Sequence, residues 1–288
     1  MKALDLIVML VIVAGWLTAC GDGLSLVPAR QGIPPAADGT LLRKIQARGK
    51  LIVGVKYDVP MFGLFDPKTN QVEGFDVDVA REIAQYIFGA ANVVEFKEVL
   101  PKDRISSLQD GTLDLVVSTM TINAEREQQI DFSVVYYVAG QSLLVPRNSR
   151  IASIQDLANK KVGTARGSTS EQNIRVAAPQ VGVQLFDSYS AAVAAMDAGQ
   201  LDAVTTDDNI LIGFQAREPN KWKLVGGTFT QEPYGVGIAK GHPELVEIVN
   251  RVIRDLKTSG RWKDIYKKNI PTEPPEPPID DWRKIVGQ

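Results

Sequence analysis

The sequence predicts an α/β protein built from two domains. Its 288 residues are about twice the length of a typical domain, and 44% of them are hydrophobic, which is enough to build a core in each domain. From residue 51 onward, short apolar runs alternate with amphipathic segments, as expected for sheets that helices cover. A pattern shared between the two halves of the chain suggests one similar unit in each domain.

The first predicted strand is the apolar run from Leu51 to Val55, which a loop with proline and glycine follows. A helix is predicted after it, because apolar residues recur every four positions from Phe75 to Ile87. Asp76 and Asp78 lie in the first turn of this helix, where the helix dipole favours anions. Further strands are predicted near 93–99, 113–117, 141–145, 161–164, 183–186, 202–205 and 235–239, and helices near 244–258 and 262–268.

Two segments share one pattern: a helix end, a glycine, an apolar strand and then hydroxyl residues. They are Gln109–Thr119 and Asp197–Thr206. In open α/β sheets, ligands bind beyond the carboxyl ends of strands. The two hydroxyl-bearing loops are therefore candidates to face one cleft between the domains, although unrelated α/β units also share such a pattern.

Composition excludes several classes of function. The chain has 32 basic and 34 acidic residues, which argues against a nucleic-acid partner, because phosphate contacts need a basic face. One cysteine and one histidine cannot form an intramolecular disulfide or a Cys- or His-rich zinc cluster. His242 precedes a predicted helix, where a solvated histidine is expected. We expect no metal, no cofactor and no catalytic residues.

The N-terminus has the layout of a secretory signal peptide. Its apolar run from Leu6 to Leu17 would span about 18 Å as a helix, too short for a hydrocarbon core of about 30 Å. The run ends in Leu-Thr-Ala-Cys-Gly, which resembles the bacterial lipobox. We therefore expect a signal peptide at 1–19, lipidation at Cys20, a flexible Gly- and Pro-containing tether at 20–40, and an extracytoplasmic, membrane-anchored lipoprotein.

The segment from Ser118 to Arg126 is a candidate binding loop. It follows an apolar strand and combines hydroxyls, free backbone groups and an arginine. An arginine fork and the amides of a helix N-terminus bind a carboxylate, whereas an ammonium needs acceptors such as a carboxylate. Asp207, which directly follows the segment Asp197–Thr206, could supply that carboxylate. Spacing alone also fits a surface ion pair for Arg126.

Four segments resemble the bacterial solute-binding proteins of the polar amino-acid family. Gly74–Val79 is similar to the signature helix of that family, and Thr121–Arg126 to its ligand-carboxylate loop. Gly167–Glu171 resembles its second-domain loop, and Asp202–Asp207 its ammonium-binding strand end. The similarity covers about Leu41 to Ile270 with the motifs in order, and it favours a binding role over a surface ion pair.

The resemblance implies a two-lobed periplasmic-binding-protein fold of type II, in which two hinge strands join two α/β domains around a ligand cleft. The first lobe would combine residues 41–137 and 234–270. The second lobe would span 141–231, and a proline-rich strap would follow at 271–288. The two crossovers between the lobes would fall in the short intervals between these ranges.

The resemblance also implies roles for individual residues. Arg126 would hold the α-carboxylate of an amino acid, with the backbone amides of Thr121 and Thr169. The ammonium would meet Asp207, the Thr121 hydroxyl and the Thr119 carbonyl. The same loops contribute two further predicted contact residues, Ser118 and Ser168.

The positions expected to contact the ligand side chain carry positive charge. Glutamine-binding members have an acidic residue where this chain has Lys56, and an aromatic residue where it has Pro101. Members that bind glutamate or aspartate have basic residues at the positions of Lys56 and Arg104. Arg166 is a third candidate cation. The resemblance thus implies a glutamate or aspartate ligand, with glutamine or another polar amino acid as the alternative.

The partners implied by the resemblance are a membrane permease and its ATPase, which together form an ABC importer, and we expect a monomer. A sensor lipoprotein on the same fold would keep the same pocket. Dehydratases on this fold lack the paired anchors seen here as Arg126 and Asp207, so we expect a binding protein rather than an enzyme.

Overall fold

A computed structural model describes residues 32–288 of the chain. The predicted signal peptide, Cys20 and the first part of the predicted tether lie outside the described residues. From residue 32 to the C-terminus, no helix has the length and apolar character needed to cross a bilayer.

The first lobe is built on a mixed five-stranded sheet whose strand order is β5-β1-β6-β15-β7. Three strands run parallel at one side, and the short late strand β15 pairs antiparallel with both β6 and β7. A small antiparallel sheet adjoins this lobe. The strands of the main sheet are β1 (Leu51–Val55), β5 (Val94–Glu98), β6 (Leu115–Val116), β7 (Asp131–Phe132) and β15 (Gly237–Ile238), and those of the small sheet are β2 (Asp58–Val59), β3 (Gly63–Asp66) and β4 (Gln71–Glu73).

The helices of this lobe come from both ends of the chain. The predicted signature helix forms as α2, with its apolar face buried and a left-handed Gly89 at its C-terminus. Pro243 opens the long helix α8 directly after His242, as is typical of proline in a first helical turn. The helices are α1 (Leu41–Arg48), α2 (Phe75–Phe88), α3 (Arg104–Gln109), α4 (Ala124–Glu127), α8 (Pro243–Ser259) and α9 (Arg261–Asn269).

The second lobe has the same plan. Its five-stranded sheet has the order β11-β10-β12-β9-β13, with β11, β10 and β12 parallel and β9 antiparallel to β12 and β13. The strands are β9 (Gln141–Pro146), β10 (Lys161–Ala165), β11 (Gly182–Phe186), β12 (Ala203–Asp207) and β13 (Trp222–Val225). The helices are α5 (Thr169–Ala177), α6 (Tyr189–Asp197), α7 (Asp208–Arg217) and a 3-10 helix at Ile154–Leu157.

Two antiparallel strands connect the lobes, β8 (Tyr137–Ala139) and β14 (Glu232–Tyr234). The chain leaves the first lobe through β8 and returns to it through β14, so that β15 completes the first sheet. The predicted two-lobed α/β fold with two hinge strands is therefore confirmed.

The shared pattern of the two halves marks equivalent positions in the two lobes. Gly111 and Gly199 both adopt left-handed backbone, with φ of 75° and 72°, which costs little without a Cβ. Each precedes a central strand, β6 or β12. The loops after these two strands both point toward the space between the lobes.

Two predictions about the chain termini need correction. The predicted tether at 20–40 does not stay free to its end, because the Ile33 amide donates to the Ile87 carbonyl and Gln46 bonds both Pro34 and Ala36. The predicted strap at 271–288 is extended only at first. It ends in a helical turn, α10 (Trp282–Ile285), because Trp282 packs against apolar side chains of the first lobe.

Candidate functional site between the two lobes

Most of the predicted contact residues lie together where the lobes face each other. Buried there are Lys56, Arg104, Ser118, Thr119, Thr121, Arg126, Ser168 and Asp207, with Thr169 half-buried beside them. Arg166 differs, because it follows the last residue of β10 and its side chain is exposed. Its backbone amide donates a hydrogen bond to the Phe186 carbonyl. The structure therefore does not bring Arg166 into this group.

Arg126 reaches across the cleft from the short helix α4. The Asn123 side chain caps this helix by accepting a hydrogen bond from the Arg126 amide. The guanidinium donates to the Thr121 carbonyl at 2.7 Å and to the Gly167 carbonyl of the opposite lobe at 3.2 Å. Burial, followed by the nearby charge of Arg104, lowers the pKa of Arg126 to about 9. An anion held by the remaining N–H groups of the fork would offset this cost.

Asp207 lies at the end of β12, in the second lobe, and is 3% exposed. The Tyr234 hydroxyl donates to Oδ2 at 2.5 Å, whereas Oδ1 is buried and has no hydrogen-bond partner among residues 32–288. Burial, followed by the charge of Glu232, raises the pKa of Asp207 well above its ordinary value. A buried carboxylate oxygen without a partner is costly, and a cationic donor such as an ammonium would remove that cost.

Thr119, which follows β6, is held in an unusual backbone conformation. Its φ is +44°, a left-handed value that is uncommon for a β-branched residue. Asp76 holds it there by accepting a hydrogen bond from the Thr119 amide at 2.8 Å, while the Tyr136 hydroxyl donates to the other Asp76 oxygen. Burial raises the pKa of Asp76 to about 7. Strained backbone of this kind clusters at binding sites.

Lys56 and Arg104 are two further buried cations of this group. Lys56 follows β1, and its Nζ lies 5.3 Å from the ring centroid of Tyr189, which belongs to the opposite lobe. Arg104 donates to the carbonyls of Pro101 and Ser118. Within the described part of the chain, neither cation forms an ion pair. Burial, and then the charge of Arg104, lowers the pKa of Lys56 to about 7, and burial also lowers that of Arg104.

Glu232 is a buried residue of the site that the sequence analysis missed. From hinge strand β14, its Oε2 accepts hydrogen bonds from the hydroxyls of Thr121 at 2.7 Å and Thr169 at 2.9 Å, one on each lobe. Its Oε1 accepts from Asn173 and Thr230, both at 2.8 Å. The carboxylate thus joins both lobes and the hinge. The sequence signal that could have identified Glu232 is a single charged residue at the start of an otherwise uncharged hinge strand.

The lobes touch on both sides of this group. Lys102 pairs with Asp187 at 3.0 Å, and Asp58 accepts a hydrogen bond from the Ser190 amide at the start of α6. A cavity of about 310 Å³ remains between the lobes. Residues from both lobes line it, including Pro101, Met120, Asn123, Arg126, Ser168 and Thr169. Arg126 borders this cavity, whereas Asp207, Lys56 and Arg104 are buried beside it and do not line it. Arg126 and Asp207 together offer partners for a small molecule that carries both an anionic and a cationic group.

Comparison with known proteins identifies the family. The sequence profile of the bacterial extracellular solute-binding proteins, family 3, matches residues 51–272. The chain belongs to this family. Its members are binding proteins, so the chain is a solute-binding protein rather than an enzyme.

Three similar proteins illustrate the family. The chain is 45% identical over 236 residues to the ABC transporter glutamine-binding protein GlnH of Bacillus subtilis, covering 82% of this chain and 86% of that one. It is 32% identical over 265 residues to the glutamate-binding protein GluB of Corynebacterium efficiens, covering 88% and 85%. An ancestral arginine-binding protein bound to arginine superposes with a TM-score of 0.72 at 39% identity, covering 77% and 99%.

Proposed function

We propose that this solute-binding protein captures an amino acid between its lobes and delivers it to the permease and ATPase of an ABC importer. The observation that carries the proposal is the burial of Arg126 and Asp207, opposite charges from different lobes, in one interlobe space. An α-amino acid carries a carboxylate and an ammonium on adjacent atoms. Such a ligand would satisfy both residues only when the lobes are closed.

The anchoring of the two α-groups follows from the donors and acceptors at hand. Arg126 would bind the α-carboxylate through its free N–H groups, together with the backbone amides of Thr121 and Thr169. The ammonium would donate to Asp207 Oδ1, to the Thr119 carbonyl and to the Thr121 hydroxyl. That hydroxyl can accept from the ammonium while it donates to Glu232, because a hydroxyl is both donor and acceptor.

The ligand side chain would be acidic, with glutamate as the leading candidate and aspartate as its closest competitor. Lys56 and Arg104 are each buried, and the charge of Arg104 disfavours the charged form of Lys56. A second carboxylate would neutralise this pair, whereas glutamine would leave it unpaired at a cost. Aspartate is one methylene shorter, a difference worth only about 0.8 kcal/mol of burial.

Glutamine is the second candidate, and two observations favour it. The relative named as glutamine-binding is more similar to this chain than the relative named as glutamate-binding. In addition, the buried Asp76 carboxylate acts on both Lys56 and Arg104 and offsets part of their charge. A side-chain amide could then bind without an added anion.

A calorimetric panel of the twenty amino acids distinguishes the candidates. We expect glutamate to bind most tightly and aspartate second, with glutamine weaker. In the Lys56→Met and Arg104→Gln variants, the dissociation constant for glutamate should rise strongly. The difference in affinity between glutamate and glutamine should therefore decrease. A wild-type preference for glutamine or for a cationic amino acid would refute the acidic ligand while leaving the binding of amino acids intact.

Delivery to a permease needs a separate test, because a sensor would keep the same pocket. We propose that lipidation at Cys20 holds the protein at the outer face of a membrane, where an importer would receive its ligand. Co-reconstitution with the permease and ATPase encoded nearest to this protein should give ligand uptake that depends on the binding protein. Uptake that is independent of it would favour a sensor.

A further inference from the structure

The C-terminal segment packs against the short stretch of chain that carries Arg126. This segment, residues 280–286, lies beyond the part of the chain that matches the family, which ends at residue 272. The stretch it contacts runs from Thr121 to Glu127 and includes α4. With only four residues, α4 is too short to be stable on its own. Its position must therefore come from contacts with neighbouring groups.

Glu127, next to Arg126 in the chain, is held by two donors of the C-terminal segment. The Trp282 indole N–H donates to Oε1 at 3.0 Å, and the Arg283 guanidinium donates to Oε2 at 2.5 Å. The Arg283 guanidinium also lies 4.5 Å from the centre of the Trp282 ring, which orders both side chains as one unit. The carboxylate on α4 is thus fixed by the C-terminal segment.

Apolar contacts hold the start of the same stretch. Trp282 is 6% exposed and packs in one buried cluster with Ile122 and Val135. Ile122 directly follows Thr121, whose carbonyl accepts the hydrogen bond from Arg126. The C-terminal segment therefore contacts the stretch on both sides of Arg126.

The segment is itself fastened to the body of the first lobe. Asp280 pairs with Arg254 at 2.7 Å and with Lys257 at 2.9 Å, both on α8, and its carbonyl accepts a hydrogen bond from the Val135 amide. The long helix α8 thus supports the segment, and the segment in turn supports α4.

We propose that residues 280–286 position Arg126 for ligand binding by fixing Glu127 and Ile122 against α8. The proposal rests on the proposed role of Arg126 as the carboxylate anchor. Trp282 and Arg283 act through α4 and do not touch the ligand. Their loss should therefore raise the dissociation constant of every amino acid by the same factor and leave the order of preference among amino acids unchanged.

The test is a Trp282→Phe/Arg283→Leu double variant, which keeps the apolar packing and removes both donors to Glu127. Loss of a group that orients a metal ligand typically costs about 10- to 100-fold in metal affinity, and we apply the lower end of that range to a group that orients Arg126. We expect about a tenfold rise in the dissociation constants of both L-glutamate and L-glutamine, measured by calorimetry. Amide hydrogen exchange of residues 121–127 in the ligand-free protein should become faster. Deletion of residues 279–288 should have a larger effect on both measurements.

Arg261→Leu is the matched control. It removes an ion pair with Glu82 of similar length, 2.8 Å, from another part of the same lobe. It should leave the two dissociation constants and the exchange of residues 121–127 unchanged. Arg283→Lys, which can still pair with Glu127, should retain wild-type affinity.

Two results would overturn the proposal. One is unchanged exchange of residues 121–127 in the double variant, and the other is faster exchange with both affinities unchanged. The first result does not depend on whether Arg126 is the anchor, and the second counts against the proposal when Arg126→Ala, tested by itself, shows that Arg126 is the anchor. If Arg126→Ala kept its ligands, the proposed function would fail, whereas the exchange measurement would still report on the C-terminal segment.

Discussion

Gly213 in α7 lies against Pro60 of the opposite lobe, so closely that a Cβ on Gly213 would be 2.8 Å from the Pro60 carbonyl oxygen. This distance is shorter than van der Waals contact, and the atom that would have to move belongs to the backbone. Glycine is otherwise unfavourable inside a helix. The residue therefore permits the lobes to approach as closely as they do, at some cost to the helix.

Gly213→Ala should weaken ligand binding without destabilising the ligand-free protein. Overpacking of the closed interface should cost about 1–3 kcal/mol, or roughly 5- to 150-fold in affinity. When the lobes are apart, alanine should stabilise α7 by up to about 1 kcal/mol. Calorimetry gives the affinity, and thermal unfolding without ligand gives the stability.

Gly182→Ala is the control for this variant. It adds the same methyl group at the edge of the second sheet, where the nearest atom is 3.3 Å away and belongs to the same lobe. It should leave affinity unchanged. Small-angle scattering should show a smaller decrease in radius of gyration on ligand addition for Gly213→Ala than for wild type. Wild-type affinity in Gly213→Ala would mean that the ligand-bound lobes stay further apart than in this structure.

The sequence was sufficient to predict the fold class because hydrophobic periodicity and glycine positions are local signals. The eight strands predicted from apolar runs formed within a few residues of their expected places, and so did the helices α2, α8 and α9. The short strands β2, β3, β4 and β7 and the strand β13 were not predicted. Less predictable were elements that depend on distant contacts. The helical turn α10 forms because Trp282 packs on Ile122 and Val135, and no local pattern encodes that contact.

The residues of the candidate site also divide into those that local sequence patterns predict and those that depend on distant contacts. Residues at or just after strand ends, such as Asp207 and Thr119, could be anticipated because the carboxyl ends of strands face the cleft. Arg166 directly follows the last residue of β10, yet its side chain is exposed. A shift of one residue along the chain thus decides whether a side chain near a strand end faces the cleft or the solvent. Glu232 and Asp76 escaped prediction because their partners come from segments far away in the chain.

Arg126→Ala and Asp207→Ala should each abolish or greatly weaken the binding of all amino acids alike. Each removes one partner of a desolvated charge pair with the ligand, which costs about 3–5 kcal/mol, or roughly 100- to 5,000-fold in affinity. Arg166→Ala is the control, because Arg166 is exposed. It should bind within about twofold of wild type in the same calorimetric experiment. Affinity within tenfold of wild type in either anchor variant would remove that residue from the binding site.

Cys20→Ala should release the protein from membranes or stop its processing. The expectation comes from the lipobox-like sequence, since Cys20 lies outside the described residues. One acyl chain binds a bilayer only marginally, so stable anchoring implies more than one chain. Membrane fractionation and intact mass of the purified protein provide the test. Unchanged mass and unchanged membrane retention in the variant would contradict lipidation.

The pH dependence of binding should separate an acidic ligand from a neutral one. Burial lowers the pKa of Lys56 to about 7 in this structure. In the ligand-free protein, whose lobes we expect to be apart, solvated Lys56 would keep its ordinary, higher pKa. Closure around glutamate pairs Lys56 with the side-chain carboxylate and keeps it charged, so the dissociation constant for glutamate should stay nearly constant between about pH 7 and 8.5. Closure around glutamine buries Lys56 without an added anion, so binding releases a proton above about pH 7. The dissociation constant for glutamine should then decrease as pH rises above about 7, by at most tenfold per pH unit.

Calorimetry in two buffers with different ionisation enthalpies measures this proton release directly. For glutamine at about pH 8, the observed enthalpy should depend on the buffer, because the buffer takes up the proton that Lys56 loses, whereas for glutamate it should not. Lys56→Met is the matched variant, since it keeps an unbranched apolar stem and cannot titrate. It should lose most of the buffer dependence with glutamine, and any part that remains reports on Asp76, whose pKa is also about 7. The same pH dependence of affinity for glutamate and glutamine in the wild type would mean that Lys56 does not contact the ligand carboxylate, and the acidic-ligand proposal would then lose its main physical support.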